Sequence, residues 1–260
     1  MTPPRLTIVG AGWAGLSAAV AATERGWAVT LWDMARQPGG RARSSADAGG
    51  LVLDNGQHIL IGAYRDTLSL MRRVGADPDR LLRRLPLDLR DERGQGLHLP
   101  AGHPVLAFTR GILGWRELAW RDRLGVLAMA ARWRLSGFRC QPDRSVSELA
   151  ADCPPRAFEA LLDPLCVAAL NTPAAEASGQ VLLTVLRDAL FSGPGAADLL
   201  LPTAPLDELL PRPAVAWLQA RGVDWRPGRR VQAIKPQAAG GWRVDGEPCD
   251  RLLQIGRAHV

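Results

Sequence analysis

The 260-residue sequence holds one lysine, Lys235, one tyrosine, Tyr64, and four cysteines. The cysteines stand far apart, as Cys140, Cys153, Cys166 and Cys249. No CxxC pair occurs, which excludes zinc-ribbon and dithiol redox motifs, and no metal site is expected. Four scattered thiols in a chain this long fit a reducing compartment. There is no run of about 18 apolar residues, so no membrane-spanning helix is predicted. Met1 leads directly into a strand-like stretch with no signal-peptide pattern, and a cytoplasmic location is expected.

Charge of one sign is never concentrated. The 32 basic and 26 acidic residues leave a net charge of +6 and a pI near 10.0. The signs are interleaved, as in Arg65-Asp66 and Asp77-Pro78-Asp79-Arg80. Without a block of like charge, no nucleic-acid partner is expected. The mild basic excess suits contact with an anionic membrane surface. Hydrophobic residues at 47% and charged residues at 22% exclude a disordered chain. Glycine and proline follow no period, which excludes collagen-like and low-complexity classes.

The informative residues begin at the N-terminus. Arg5–Val9 reads as a buried strand, Gly10–Gly15 (GAGWAG) as a glycine turn, and Leu16–Arg25 as an alanine-rich helix closed by Gly26. Trp27–Trp32 reads as a second strand, and Asp33 follows it. The spacing is that of a β-α-β unit whose turn fits GxGxxG. In this context each glycine has a task. Gly10 permits the sharp bend, Gly12 lets a pyrophosphate approach the backbone, and Gly15 lets the helix pack on the strand. The helix N-terminus offers free N–H groups to phosphate. Asp33, 23 residues after Gly10, is placed to bind ribose hydroxyls and to disfavour a 2′-phosphate.

Two further glycine segments follow. In Gly39-Gly40-Arg41-Ala42-Arg43-Ser44 the backbone can turn close to the phosphates, with Arg41 within reach of them. In Asp54-Asn55-Gly56-Gln57-His58 a glycine between polar side chains suits packing against a flat ring. Further along, the pattern predicts a helix at Tyr64–Val74, a hairpin over Leu85–Leu99 turning at Arg93–Gly96, and helices at Trp115–Leu135, Pro155–Leu170, Ala174–Phe191 and Ala214–Arg221. Strands are expected again at Arg229–Ile234 and Gly241–Val244. A β-rich start, helical middle and β-rich return imply an α/β fold: a Rossmann-like dinucleotide-binding domain with an inserted, largely helical substrate domain. The expected boundaries are 1–76, 77–204 and 205–254. Ile255–Val260 (IGRAHV) reads like a translated sequencing adapter. It is expected to be a non-native tail, with the native chain continuing past Gln254.

In their order, VGAGWAGLSAA, WD, PGGRARS and LDNGQH resemble the FAD-dependent amine oxidase and phytoene desaturase superfamily. Within it, LDNGQHILIGAY (53–64), ALNTP (169–173) and ADLLLP (197–202) most resemble the hydroxysqualene dehydroxylases of bacterial hopanoid biosynthesis. The resemblance runs to about Leu253 and makes FAD the implied cofactor. By it, Gly10, Gly12, Ala14 and Gly15 hold the pyrophosphate, Asp33 the adenosine ribose, and Gly40 and Arg41 the phosphate side. Gly56, Gln57 and His58 lie near the flavin ring, and Val231 makes a backbone contact to adenine. The superfamily's second flavin-contacting motif, which closes chains of over four hundred residues, is missing.

The implied reaction is reductive dehydroxylation of hydroxysqualene, an isoprenoid lipid, to squalene. Its allylic hydroxyl leaves, and reduced flavin supplies hydride. His58 is the candidate acid for the departing oxygen, histidine being the side chain that exchanges protons near neutral pH. The alternatives are a carotenoid-type desaturase, an amine oxidase, or a flavin-fold fragment without catalysis. The helical middle is the expected lining of a long apolar pocket. Within it, Trp115, Trp120 and Trp133 alternate with Arg110, Arg116, Arg121, Arg123, Arg132 and Arg134, the composition of a helix lying on the inner membrane face.

Overall fold

A computed structural model describes residues 2–90, 92–94 and 96–256. β1 (Arg5–Val9) enters the turn, and α1 (Trp13–Glu24) starts at once after it, with Gly12 as its N-cap. The helix begins three residues earlier than the pattern predicted. Nothing in Trp13-Ala14-Gly15 opposes helical geometry, and Leu16 N–H already bonds the Gly12 carbonyl. Gly26, at φ +79°, closes the helix. β2 (Ala28–Trp32) then runs parallel to β1, with Ile8 opposite Leu31.

A small ribbon of β3 (Ser44–Ala46) and β4 (Val52–Asp54) follows. Next comes α2 (Arg65–Arg73), which buries Leu68 and Met71 and ends at Gly75. The expected hairpin forms from β5 (Asp88–Arg90) and β6 (Gly96–His98). Its predicted turn includes Gln95, which lies outside the described residues.

The helical stretch differs from expectation at its start. α3 (Pro104–Gly114) was not predicted. α4 begins only at Trp120 and runs to Leu135. The break between them is held by Arg123, whose guanidinium donates to the carbonyls of Leu113, Arg116 and Leu118. Pro155–Leu170 is helical, but Phe158–Leu162 forms a π-turn ahead of α5 (Asp163–Leu170). α6 (Gly179–Phe191) is capped by the Ser178 side chain.

In the return segment, α7 (Pro211–Gln219) packs against α1. The predicted strand at Arg229–Ile234 is corrected. The strand instead lies earlier, as β7 (Asp224–Arg226), and another covers Ile234–Pro236, β8. Between them Gly228 turns at φ +71°, and the N–H groups of Gln232 and Ala233 bond Asp245 Oδ1 rather than a neighbouring strand. β8, β9 (Trp242–Val244) and β10 (Glu247–Cys249) form an antiparallel meander. β11 (Arg251–Gln254) then pairs parallel with β1.

By contact density the chain divides into two units. Unit 1 comprises 2–59, 65–83 and 201–256, and unit 2 comprises 60–64 and 84–200. Unit 1 is built on a parallel sheet ordered β7-β2-β1-β11. All four strands point the same way, so their carboxyl ends form one edge, and α1 starts from that edge. Ile8, Leu16, Ala19, Leu31 and Leu218 are fully buried around this sheet. Unit 2 has its own core, in which Ile112, Leu182 and Leu183 are inaccessible to solvent. Each such side chain contributes about 1.5–3 kcal/mol.

Of the tail singled out in the sequence, residues 257–260 lie outside the described residues. Ile255 N–H bonds the Val9 carbonyl at 2.8 Å, continuing the β11 ladder.

Candidate functional site

The site in unit 1 begins with three glycines whose surroundings differ. Gly10 sits at φ +112°, and a Cβ there would lie 1.7 Å from the Ile255 carbonyl oxygen. At Gly15 a Cβ would lie 1.8 Å from the Gly10 carbonyl oxygen, so only glycine lets α1 approach β1 this closely. Gly12 is different. A Cβ there meets nothing nearer than Gly40 Cα at 4.0 Å. The space beside Gly12 is open, and no side chain caps α1. The first-turn N–H groups of Trp13, Ala14 and Gly15 therefore face a cradle without an acceptor side chain, the arrangement that receives phosphate.

The second glycine loop is stitched to the first. Gly39 N–H donates to the Ala11 carbonyl at 2.8 Å, and Gly12 and Gly39 form a parallel bridge. Gly40, at φ +61°, approaches so closely that a Cβ would lie 3.2 Å from Gly12 Cα. The fused loops leave Arg41 exposed, with no ion pair among the described residues.

Asp33 is half-buried at the end of β2. Its Oδ2 accepts from Ala11 N–H at 2.6 Å and its Oδ1 from Ala35 N–H at 2.7 Å. Each oxygen keeps a lone pair that a ribose hydroxyl can use. Beside it, the buried Trp32 has two guanidinium groups over its ring, Arg226 at 5.1 Å and Arg229 at 4.5 Å from the centre. Arg226 is itself held by Asp224 and Glu247, and these hydrogen bonds, that to Asp224 foremost, keep it well above the ordinary arginine range. Val231 packs its side chain on the buried cluster of Trp32, Val244 and Cys249. Its backbone N–H and C=O have no hydrogen-bond partner among the described residues, leaving both free for a planar heterocycle edge.

Gly56 (φ +96°) and Gln57 are exposed. His58 is half-buried and folds back so that its Nδ1 lies 3.1 Å from the Gly56 carbonyl. A carbonyl only accepts, so Nδ1 carries the proton and Nε2 is the nitrogen left to face a ligand. The loop is tied to Arg41: Asn55 Nδ2 donates to the Arg41 carbonyl and Asn55 N–H to that of Arg43.

One network was not foreseen. Ser44 Oγ, buried, donates to Asp54 Oδ1 at 2.5 Å, and the same oxygen accepts from Leu206 N–H at 3.0 Å. Asp207 N–H donates back to Ser44 Oγ. These bonds anchor the β3–β4 ribbon, and so the Arg41 and Gly56 loops at its ends, to the segment before α7. The only sequence sign is Asp54 at the end of a short strand, and its partner Leu206 lies 152 residues away.

In unit 2 the tryptophans separate. Trp115 and Trp133 belong to the core, and Arg123 is the carbonyl clamp described above. Trp120 remains 59% exposed and Leu135 88% exposed, with Leu124 and Ala128 between them on the same face of α4. Among the described residues no group of histidine, cysteine or acidic side chains could hold a metal ion.

Comparisons agree with this geometry. Residues 8–74 match the NAD(P)-binding Rossmann-like domain family. The chain is 31% identical over 239 residues to a hydroxysqualene dehydroxylase of Zymomonas mobilis, covering 87% of this chain and 54% of that protein. It is 29% identical over 235 residues to the hydroxysqualene dehydroxylase of Rhodopseudomonas palustris, covering 88% and 54%. It is 26% identical over 273 residues to a Synechococcus elongatus protein named "Probable zeta-carotene desaturase", covering 95% and 56%. The chain thus spans about half the length of these relatives. Among solved structures, an oxidoreductase from Methanosarcina mazei superposes with a TM-score of 0.69 at 16% identity, covering 96% of this chain and 58% of that one. Putrescine oxidase with bound putrescine gives 0.57 at 18%, covering 96% and 57%. These likenesses show the Rossmann-like fold.

Proposed function

We propose that this chain binds FAD and serves an oxidoreductase that removes the hydroxyl of hydroxysqualene to give squalene. The observation that carries the cofactor reading is the open cradle at Gly12, uncapped by any side chain and stitched to the Gly39–Gly40 loop. Gly10, Gly12, Ala14 and Gly15 would receive the pyrophosphate, and Asp33 the adenosine ribose. Gly40 and Arg41 would close on the phosphates, and the free backbone of Val231 would meet adenine. The substrate reading follows the two dehydroxylases, 31% and 29% identical over 87% and 88% of the chain, against 26% for the desaturase-named Synechococcus protein over 95%.

Reduced flavin supplies hydride in such a reaction. The protein has two tasks besides holding it. It must deliver a proton to the departing oxygen, and we assign this to His58 in its imidazolium form, whose Nε2–H gives up the proton while Nδ1–H stays on the Gly56 carbonyl. It must also present a water-insoluble substrate. The exposed face Trp120–Leu124–Ala128–Leu135, flanked by Arg121, Arg132 and Arg134, suits peripheral contact with an anionic bilayer.

Titration of the purified chain with FAD, followed by flavin fluorescence, tests the reading. Saturable quenching that ADP reverses is expected, because Gly10, Gly12, Asp33, Arg41 and Val231 are assigned to the ADP half. Absence of quenching would refute it. In an active dehydroxylase carrying this region, His58→Gln is expected to lower turnover about a hundredfold; unchanged turnover removes His58 as the acid.

A further inference from the structure

Unit 2 holds two neighbouring cavities of opposite character. One is the narrower and more enclosed, about 40 Å³, and walled only by apolar side chains and one thiol, among them Phe108, Trp133, Cys153 and Leu186. It has room for about three waters but offers them no polar partner, so it stays dry. The other is an open groove of about 790 Å³ whose rim carries Asp88, Arg90, Glu117, Arg156 and Glu159. Three leucines line both: Leu89, Leu97 and Leu161.

These three form the partition. Leu89 and Leu97 face each other across the β5–β6 hairpin. Leu161 lies in the π-turn Phe158–Leu162. Both supports are weak ones. A two-stranded ribbon of three residues a side is marginal alone. A π-turn has poorer backbone geometry than the helix around it and recurs at functional sites. Leu89 lines both spaces and is 41% exposed, so the wall is one side chain thick there.

Charge decides the ligand's polar end. Among the described residues the groove is lined by three arginines, Arg90, Arg93 and Arg156, and three carboxylates, Asp88, Glu117 and Glu159, and Arg90 Nε bonds Asp88 Oδ1 at 2.7 Å. The rim is polar yet balanced, which suits a hydroxyl better than a phosphate.

We propose that groove and narrow apolar cavity are one binding site for a neutral long-chain isoprenoid alcohol, and that the Leu89–Leu97–Leu161 partition parts to admit its hydrocarbon tail. The ligand class rests on the substrate reading above; the location rests on unit 2 alone. Burial favours long tails steeply, by about fourfold per methylene.

Nile red displacement from the full chain tests this. Farnesol is expected to displace the dye at concentrations at least about a hundredfold below those of the five-carbon prenol. Farnesyl phosphate should bind no tighter than farnesol. Leu89→Asp, which charges the partition, and Ala130→Phe, which fills the narrow cavity, should each weaken farnesol about tenfold or more with unchanged circular dichroism. No displacement by farnesol, equal displacement by both alcohols, tighter binding of the phosphate, or folded variants that bind like wild type would each overturn the proposal. If either variant unfolds, alkylation of Cys153 by N-ethylmaleimide in the wild-type chain decides. Protection by farnesol supports the site, and an unchanged rate refutes it. FAD titration is scored separately, so a chain that binds farnesol but no flavin refutes the oxidoreductase reading and leaves this site standing.

Discussion

The main-chain N–H of Ala11 donates to Asp33 Oδ2 across 2.6 Å, so the residue that ends the second strand fixes the turn that ends the first. With Ala35 N–H on the other oxygen, Asp33 is a structural brace before any ligand arrives. Asp33→Ala should cost about 2 kcal/mol in urea unfolding, and Asp33→Asn, which keeps one acceptor, about 1 kcal/mol. Equal stability of all three proteins would show that the brace is idle.

Gly12 and Gly15 make a matched pair. Gly15→Ala forces a Cβ against the Gly10 carbonyl and should destabilise the fold by about 1–3 kcal/mol. Gly12→Ala makes only ordinary contact, with Gly40 Cα at 4.0 Å, so its melting temperature should stay near wild type while FAD and ADP affinity falls at least about tenfold. Thermal melts beside flavin titrations separate the two; a Gly12→Ala protein that binds like wild type argues against a pyrophosphate at this turn.

Acid should loosen one edge of the sheet. Arg5 N–H donates to Asp250 Oδ2 at 2.7 Å, where β1 meets β11. That bond, with the Arg5 charge, lowers the Asp250 carboxyl below its ordinary 3.8. A lowered folded value means the contribution is complete above 3.8 and disappears as pH falls through the lower value. Asp250→Asn should therefore melt below wild type near neutral pH, and the gap should narrow as pH falls below 3.8. Parallel melting curves at every pH would contradict this.

The exposed face of α4 makes its own forecast. Wild-type protein should sediment with phosphatidylglycerol vesicles and less with phosphatidylcholine alone, and salt should weaken the association. Leu124→Asp removes apolar contact and should reduce binding about tenfold. Arg132→Glu should reduce it only on the anionic vesicles. Equal sedimentation of all forms would assign this face to another partner.

The buried thiols should resist modification. Burial, with Asp122 beside one and Asp163 beside the other, raises Cys153 and Cys166 above the usual thiol value. Ellman's reagent at mildly alkaline pH should therefore reach Cys140, the most accessible of the four, before either of them. Simultaneous labelling of all four in folded protein would contradict the packing of unit 2.

By itself the sequence determined what is local. The first β-α-β unit, the tasks of Gly10 and Gly15 and the position of Asp33 are legible because a positive φ, a close helix–strand approach and a fixed spacing each restrict residue type directly. The tertiary structure alone decided which distant pieces complete the sheet. Asp224–Arg226 and Arg251–Gln254 are too short to show periodicity, and they become strands because β2 and β1 offer open edges. It also decided that Trp115 and Trp133 pack inward while Trp120 faces out. One arginine, Arg123, breaks the predicted helix by collecting three carbonyls, and no periodicity encodes that. Ser44, Asp54 and Leu206 meet for the same reason: hydrogen bonds between distant segments depend on where packing brings the chain, and a linear pattern carries no record of it.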